Sequence, residues 1–286
     1  REFADRCFYI LWGCTEDILK LLAILCRILL LLDLDCTVGW FVDQFDGQTH
    51  ETLLYLYIVV AITSATPAVF GFTKDKRELA GAQFVDVGIA EETAVALASG
   101  ISKRGGKPVY GVYSTFIQRT YDQLSQDLCI NNNPVTIIVF AASVYGMNDV
   151  THLGIYDIPM MSNIPNLVYL APTTKEEYLA MLDWSIEQRE HPVAIRIPCC
   201  EFISNGEKVT KDFSVLNKYE VKQQGSEVAF IGLGTFYPLA EKCAELYEKK
   251  HGVKATVINP YYITGVDDEL LDELKKTHKT VVTLED

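Results

Sequence analysis

The sequence predicts an α/β protein with two doubly wound domains, a mostly parallel-sheet domain followed by a smaller and incomplete one. Short β-branched runs alternate with helical patterns from Ile58 onward, which is typical of a parallel sheet with crossover helices. This alternation lapses at 200–225 and then resumes, so we expect two units joined by a connection. A length of 286 residues with 49% hydrophobic content suffices for a sizeable core in each unit.

The first unit is predicted to contain a series of strands, each an apolar or β-branched run. They are Ile58–Thr63, Phe84–Ile89, Pro108–Tyr113, Val135–Ala141, Leu167–Leu170 and Val193–Ile197. The helical pattern Glu91–Lys103 is followed by Gly105 and Gly106, which form a helix stop signal. A second amphipathic helix is predicted at Lys175–Glu190.

The second unit repeats this order of strands and helices. Its predicted elements are strands Glu227–Gly232, Ala255–Ile258 and Thr280–Leu284, with helices near Leu239–Lys250 and Asp267–Lys276. We place the first domain at 37–199, the connection at 200–225 and the second domain at 226–286, which we expect to lack its closing elements. Thr37–Phe45 is predicted as a short helix, and residues 1–36 have only an apolar, helix-like composition without an assigned role.

Charge and cysteine content argue against several classes of protein. The net charge of −13 and the pI near 4.9 disfavour a nucleic-acid partner, because such affinity depends on clustered Lys and Arg. The eight cysteines lack the CxxC spacing of zinc sites, so we interpret them as reduced thiols of a cytoplasmic protein. The apolar segment Ile18–Leu32 contains Lys20 and Arg27 and is short for a bilayer span, which favours a packed helix over a membrane anchor.

The first candidate functional residue is Glu91, which follows an apolar run and begins a helical pattern. An acid at a strand-to-helix junction can be held partly desolvated and can then manage a proton on a bound ligand. The alternative is a first-turn acid that only favours the helix dipole, which Glu92 would do equally well.

Two further segments follow predicted strands, at the carboxyl edge where an open parallel sheet binds its ligands. In Tyr113–Gln123, aromatic residues crowd a helix start, where they either stack on a flat heterocycle or only pack. The loop Gly146–Gly154 contains His152, which either orients a substrate hydroxyl or carbonyl or is simply solvated. The turn Gly232–Gly234 lacks the third glycine of a dinucleotide-binding motif, since Tyr237 takes that place, and it indicates tight packing instead.

Motifs along the chain occur in an order that is specific as a set. They are VVAITSATP (Val59–Pro67), FVDVGIAEE (Phe84–Glu92), YSTFIQRTYDQ (Tyr113–Gln123), THLG (Thr151–Gly154), VAIRIP (Val193–Pro198) and GLGTFYPLAEKC (Gly232–Cys243). With them the chain resembles the transketolase-like thiamine diphosphate enzymes, and within these the later half of the 1-deoxy-D-xylulose-5-phosphate synthase family. The resemblance covers Thr37 to Asp286, with its clearest part from Ile58 onward, and implies a pyrimidine-binding domain followed by a transketolase C-terminal domain.

The resemblance implies thiamine diphosphate and Mg²⁺ as cofactors, with the cofactor supplying the carbanion chemistry. In this family a glutamate bonded to the aminopyrimidine ring promotes the tautomer that activates the cofactor, and the matching position is Glu91. A carboxylate suits this task because it can share a proton with a ring nitrogen in a dry pocket. Tyr113 and Phe116 would flank the pyrimidine ring and the substrate channel.

The implied reaction condenses pyruvate with glyceraldehyde 3-phosphate, with loss of carbon dioxide, in isoprenoid biosynthesis. His152 would act as a catalytic residue that positions the acceptor aldehyde and assists proton transfer. Arg196 would hold the substrate phosphate through charge-assisted hydrogen bonds. The implied substrate-binding set is Tyr113, Arg119, Asn148, Asp149, His152 and Arg196.

The sequence departs from the family's usual pattern at several of these positions. Asn148 stands where the family has an aspartate, and Asp149 stands where it has a glycine. Cys199 replaces an arginine, Ala141 stands near the place of another, and Thr93 replaces a histidine. We therefore expect weaker phosphate recognition, which leaves the identity of the acceptor open.

The family's diphosphate-binding signature has no counterpart in this sequence, which contains no GDG with a following asparagine. We therefore expect no metal ligands here, and a diphosphate-binding half that lies upstream in the same polypeptide or on a separate subunit, in a homodimer. Two alternatives remain: the second subunit of a split transketolase, and a catalytically silent binding or assembly module.

Overall fold

The structure is a computed structural model that describes residues 59–143, 149–199 and 202–285. The predictions for residues 1–36, Ile18–Leu32 and Thr37–Phe45 lie outside these ranges, as does the prediction for Asn148. Within the described ranges, no helix combines the length and the apolar composition that crossing a membrane requires.

The first sheet is parallel throughout, in the order β2-β1-β3-β4-β6-β5. Its strands are β1 (Val59–Thr63), β2 (Phe84–Asp86), β3 (Lys107–Tyr113), β4 (Thr136–Phe140), β5 (Val168–Leu170) and β6 (Val193–Arg196). All were predicted within a few residues, because buried parallel strands are continuous β-branched runs. β2 ends three residues before the predicted Ile89, since Gly88 turns the chain with φ +73°.

The helices that connect these strands are α1 (Lys74–Ala80), α2 (Glu91–Lys103), α3 (Asp157–Met161) and α4 (Lys175–Glu187). The predicted bounds of α2 are confirmed. α4 ends before the predicted Glu190, because Gln188 is extended and its side-chain oxygen accepts from the backbone of Glu190 and His191. α1 was not predicted because it buries only Ala80 and shows no apolar stripe. Short 3₁₀ turns lie at Ile117–Thr120 and Val150–His152, and a π-helix at Gln123–Cys129.

Both faces of the first sheet are covered, as a doubly wound fold requires. In β4, Ile137 and Val139 belong to a buried cluster with Ala98 of α2, whereas Ile138 packs on the opposite side with Met181 of α4. Each fully buried aliphatic side chain of this kind contributes about 1.5–3 kcal/mol to folding.

A smaller mixed sheet follows, in the order β10-β8-β9-β7. Its strands are β7 (Glu220–Gln223), β8 (Glu227–Gly232), β9 (Thr256–Asn259) and β10 (His278–Leu284), and its helices are α5 (Tyr237–His251) and α6 (Asp268–Thr277). The predicted α/β class, with a mostly parallel domain followed by a smaller one, is confirmed. β7 was not predicted, because it is short and polar and pairs antiparallel at the edge of the sheet.

Buried polar contacts join the two sheets. Glu177 of α4 accepts hydrogen bonds from the backbone and hydroxyl of Thr173, both at 2.8 Å, and from the Asn259 amide at 3.2 Å. Nearby, the Ala171 amide donates to the Tyr261 carbonyl at 2.8 Å. Because Glu177 is buried, these donors offset the cost of removing its carboxylate from water.

A close backbone approach fixes the loop that follows β4. Gly154 exchanges hydrogen bonds with Ser143, whose amide donates to the Gly154 carbonyl at 2.9 Å. A Cβ on Gly154 would lie 2.5 Å from the Ala141 carbonyl oxygen, 2.6 Å from Ala142 Cα and 2.7 Å from Ser114 Oγ. Only glycine fits there without moving the backbone.

We predict that Glu177→Ala lowers the free energy of unfolding by about 2–4 kcal/mol, because it leaves the buried donors of Thr173 and Asn259 without an acceptor. Urea unfolding followed by circular dichroism measures the loss. The control Glu187→Ala changes an exposed acid of the same helix and should stay within about 0.5 kcal/mol of the unchanged protein. Equal losses for the two variants would contradict the prediction.

We predict that Gly154→Ala destabilises the protein by about 1–3 kcal/mol, because its methyl group collides with backbone atoms. Gly100→Ala is the matched control, since Gly100 lies exposed in α2 with nothing within 4 Å of an added Cβ. That change should stabilise the helix by about 0.5–1 kcal/mol. The two melting temperatures should therefore move in opposite directions, and a shift of the same sign would refute the packing argument.

Candidate active site

The candidate site lies at the carboxyl edge of the first sheet. The chain runs from β1 outward to β2 and then crosses back to β3 on the other side of β1. This reversal of strand order creates a crevice at the carboxyl ends, where open α/β sheets bind ligands. The residues after β2, β3 and β4 supply the candidate side chains.

Glu91 is the first residue of α2, and its carboxylate is buried. The connection before it is fixed by Asp86, whose Oδ1 accepts from the amides of Ala65 at 2.8 Å and Gly88 at 2.9 Å. Ala90 at the N-cap offers no side-chain acceptor to the helix. The position at the helix N-terminus favours the negative charge of Glu91.

One carboxylate oxygen of Glu91 is buried without a hydrogen-bond donor facing it in the described part of the chain. Glu91 Oε2 lies 3.2 Å from Nη1 of Arg119, within ion-pair distance, but the two groups are not aligned for a hydrogen bond. Among the residues that the structure describes, this buried oxygen accepts no hydrogen bond. An unsatisfied buried acceptor is costly, so the geometry suits a ligand that brings a donor.

Tyr110 and Ser64 lie in the neighbourhood of Glu91 and were not predicted as site residues. The Ser64 and Tyr110 hydroxyls share a hydrogen bond of 2.7 Å, and Tyr110 is completely buried. Burial raises the pKa of Tyr110 above its usual range, and the nearby charges of Glu91 and Glu92 raise it further. The phenol therefore stays neutral. Because Tyr110 lies inside a predicted strand, the sequence indicated only that it packs in the core.

Three rings come together beside the crevice. His152 makes edge-to-face contacts with Tyr113 and Phe116, with centroids 5.7 and 5.3 Å apart, and Tyr113 and Phe116 lie 5.3 Å from each other. Burial raises the pKa of Tyr113, and the nearby Cys199 raises it further. The structure thus brings together three of the predicted site residues.

Asp149 and Thr151 contact the imidazole of His152. Asp149 Oδ2 lies 2.9 Å from His152 Nδ1, and Asp149 Oδ1 accepts from the amide and the hydroxyl of Thr151. The Thr151 hydroxyl oxygen is also 2.9 Å from Nδ1. Hydrogen bonds from Thr151 are the main reason that the pKa of Asp149 is lowered, and the charge of His152 adds to the effect. Thr151 was part of a predicted motif but had no predicted function.

Arg196, which was predicted to bind the substrate phosphate, contacts a buried carboxylate of the chain itself. Its Nε donates to Asp157 Oδ2 at 2.7 Å, and the Tyr169 hydroxyl donates to the same oxygen. Arg196 is 8% exposed and Asp157 is 1% exposed, so the ion pair is buried. Neither Asp157 nor Tyr169 gave a sequence signal. Arg196 as a phosphate ligand remains a prediction, and it would require part of this guanidinium to stay accessible.

Other predicted positions are less informative. Asn148 lies outside the described residues. Thr93 is exposed on α2, Ala141 is buried at the end of β4, and Cys199 is a partly buried free thiol. Ser114, directly after β3, is completely buried and its hydroxyl has no hydrogen-bond partner in the described part of the chain. In that same part, no group of three or more His, Cys, Asp or Glu side chains is arranged to hold a metal ion.

Two family models match the sequence. The sequence matches the family described as transketolase, pyrimidine binding domain, over residues 17–200. It also matches the family described as transketolase, C-terminal domain, over residues 217–286.

Curated relatives are named 1-deoxy-D-xylulose-5-phosphate synthase. The chain is 38% identical over 232 residues to the protein from Natranaerobius thermophilus, covering 80% of this chain and 36% of the relative. The relative from Clostridium beijerinckii is 40% identical over 232 residues with the same coverage. The chain thus spans about a third of the length of these relatives.

Solved structures share the fold. A split gene transketolase described as an inactive β4 tetramer aligns with a TM-score of 0.67 at 23% identity, covering 79% of this chain and 73% of that one. Transketolase from Pichia stipitis in complex with sedoheptulose-7-phosphate aligns with a TM-score of 0.65 at 16% identity, covering 82% and 40%. The resemblance inferred from the motifs is confirmed: the chain belongs to the transketolase pyrimidine-binding domain family and continues into a transketolase C-terminal domain.

Proposed function

We propose that this chain supplies the pyrimidine-binding half of a thiamine diphosphate-dependent transferase of the 1-deoxy-D-xylulose-5-phosphate synthase type. The observation that carries the proposal is Glu91 Oε2, a buried acceptor without a hydrogen bond at the carboxyl edge of the sheet. Identities of 38–40% to synthases of that name support the choice within the family.

The residues at this edge fit an aminopyrimidine. Glu91 would share a proton with a ring nitrogen and accept the hydrogen bond when that nitrogen holds the proton, which is a strong interaction for a buried carboxylate. Tyr113 and Phe116 present aromatic surface to a flat ring. When bound, thiamine diphosphate supplies the carbanion chemistry that amino-acid side chains lack.

His152 and Arg119 would act on the substrates. The His152 imidazole is one-third exposed beside the rings of Tyr113 and Phe116, where its Nε2 can exchange a proton with an oxygen of the acceptor substrate. Arg119 is about half exposed at the rim, so its guanidinium can also contact an anionic substrate group. Arg196 remains our proposed contact to the substrate phosphate.

The remaining parts of the proposal concern what must join this chain. A diphosphate-binding half with the Mg²⁺ ligands would come from another segment or subunit, and the assembly would be a homodimer. The chain covers 36% of the relative from Natranaerobius thermophilus, which supports a further segment or subunit. Cys129, Cys199 and Cys243 are free thiols, which supports a cytoplasmic location.

We predict that Glu91→Gln lowers kcat/KM by about 10²- to 10⁴-fold, because a glutamine amide accepts a hydrogen bond but cannot share the proton. The assay uses the full-length enzyme, or this chain with the subunit that completes it, with thiamine diphosphate and Mg²⁺. Glu92→Gln is the matched control, since it removes the neighbouring first-turn acid and should change the rate by less than about 3-fold.

Cofactor binding provides an independent readout of the same variants. In calorimetric titrations, the complete assembly should bind thiamine diphosphate in a Mg²⁺-dependent way, and Glu91→Gln should weaken that binding. Equal activity in Glu91→Gln and Glu92→Gln would refute the assignment of Glu91. Tight binding by this chain without the diphosphate-binding half would contradict the division of the site.

Substrate identity is tested by turnover with alternative donors and acceptors. We predict release of carbon dioxide from pyruvate that depends on glyceraldehyde 3-phosphate, and at least about 10-fold lower kcat/KM with unphosphorylated glyceraldehyde, because a charge-assisted contact to the phosphate is lost. Transfer from ketose phosphates without carbon dioxide release would instead identify a transketolase. If the complete assembly catalyses neither reaction, the result would favour a binding or assembly module.

A further inference from the structure

The hydrogen bonds around His152 determine which of its ring nitrogens carries the proton. The Thr151 hydroxyl has one hydrogen, and at 2.7 Å from Asp149 Oδ1 that hydrogen is donated to the carboxylate. The Thr151 oxygen therefore presents a lone pair to His152 Nδ1, 2.9 Å away. Asp149 Oδ2 presents a second acceptor to the same nitrogen, also at 2.9 Å. With two acceptors facing it, Nδ1 must be the protonated nitrogen.

The carboxylate that faces Nδ1 is itself held in place. Asp149 Oδ1 accepts from the amide nitrogen of Thr151 at 2.9 Å and from its hydroxyl, so rotation of the carboxylate would break two hydrogen bonds. These bonds also lower the pKa of Asp149, which keeps the group charged at neutral pH. The Thr151 carbonyl in turn accepts from the Thr115 hydroxyl at 3.3 Å, which ties this turn to the segment after β3.

The second nitrogen of His152 is in the opposite situation. In the described part of the chain, Nε2 has no hydrogen-bond partner, and the side chain is 33% exposed. The rings of Tyr113 and Phe116 restrict the imidazole plane through edge-to-face contacts. A neutral imidazole fixed as Nδ1–H therefore offers Nε2 as its acceptor to the open side of the site.

We propose that Asp149 and Thr151 are positioning residues that fix His152 as the Nδ1–H tautomer and so present Nε2 to the acceptor substrate. The identity of that substrate rests on the proposed function, whereas the tautomer rests on the hydrogen bonds alone. This inference assigns the Asp149 carboxylate to the imidazole and not to the substrate. It also gives a use to a carboxylate at a position where a glycine was expected.

The tautomer is measured directly by long-range ¹H–¹⁵N correlation spectra of the enzyme labelled with ¹⁵N-histidine, recorded where the imidazole is neutral. The chain has five histidines, and the signals of His152 are assigned by their loss in His152→Gln. We expect the Nδ1–H pattern in the unchanged protein. We expect Asp149→Asn to reverse it to Nε2–H, because an asparagine amide can donate to Nδ1.

Two further variants test the geometry. Thr151→Val removes the hydroxyl that braces Asp149 and should give a mixture of tautomers. Asp127→Asn, which changes an exposed carboxylate of the π-helix, should leave the spectrum unchanged. An Nε2–H pattern in the unchanged protein, or a pattern insensitive to Asp149→Asn, would overturn the inference.

Kinetics separate positioning from substrate binding. For Asp149→Asn in the complete assembly we expect kcat to fall by about 10²- to 10⁴-fold with little change in the acceptor KM, the result of a misprotonated base. A raised KM with unchanged kcat would make Asp149 a substrate ligand and refute the proposal. If the spectra show the Nδ1–H tautomer but the complete assembly has no turnover, the proposed function is refuted. The assignment of the hydrogen bonds around His152 is then still correct.

Discussion

The candidate site depends on the parallel alignment of the strands in the first sheet. Because β1 to β4 all run in the same direction, the segments that follow them reach one edge, where Glu91, Tyr113 and His152 lie. Parallel pairing requires crossovers, and these cover both faces of the sheet. Glu91 begins α2, one of these crossovers, and its carboxylate is buried there. Packing and site chemistry thus have the same origin.

The polar side chains of this edge fall into two groups that differ in their solvent exposure. Glu91 is buried and faces a half-exposed Arg119, so its charge is desolvated without a complete hydrogen-bonded partner. Asp149 and His152 lie nearer to solvent and are ordered by their mutual hydrogen bonds. A buried acceptor and an accessible, oriented imidazole suit different tasks, binding of a heterocycle and proton transfer to a substrate. The aromatic rings of Tyr113 and Phe116 accompany the imidazole.

Long, strongly patterned elements were predictable from the sequence. The strands β3 and β4 are continuous apolar runs, and α2 carries both a periodic face and a glycine stop, so local pattern and tertiary burial agree. The elements that were missed have weak local signals. α1 buries one residue, and β7 alternates polar side chains at an edge, where pairing with β9 and not its own pattern makes it a strand.

At the site, the sequence by itself determined the candidates and their order: an acid after β2, aromatic residues after β3 and a histidine after β4. This was possible because the spacing of motifs can be read from the sequence, and because predicting a strand also predicts the residues that follow its carboxyl end. Only the tertiary structure decided which partners these groups have. Arg196 contacts Asp157, 39 residues away in sequence, and the imidazole of His152 contacts rings beyond its own loop. Hydrogen bonds act over about 3 Å, so they depend on distances that no sequence spacing contains.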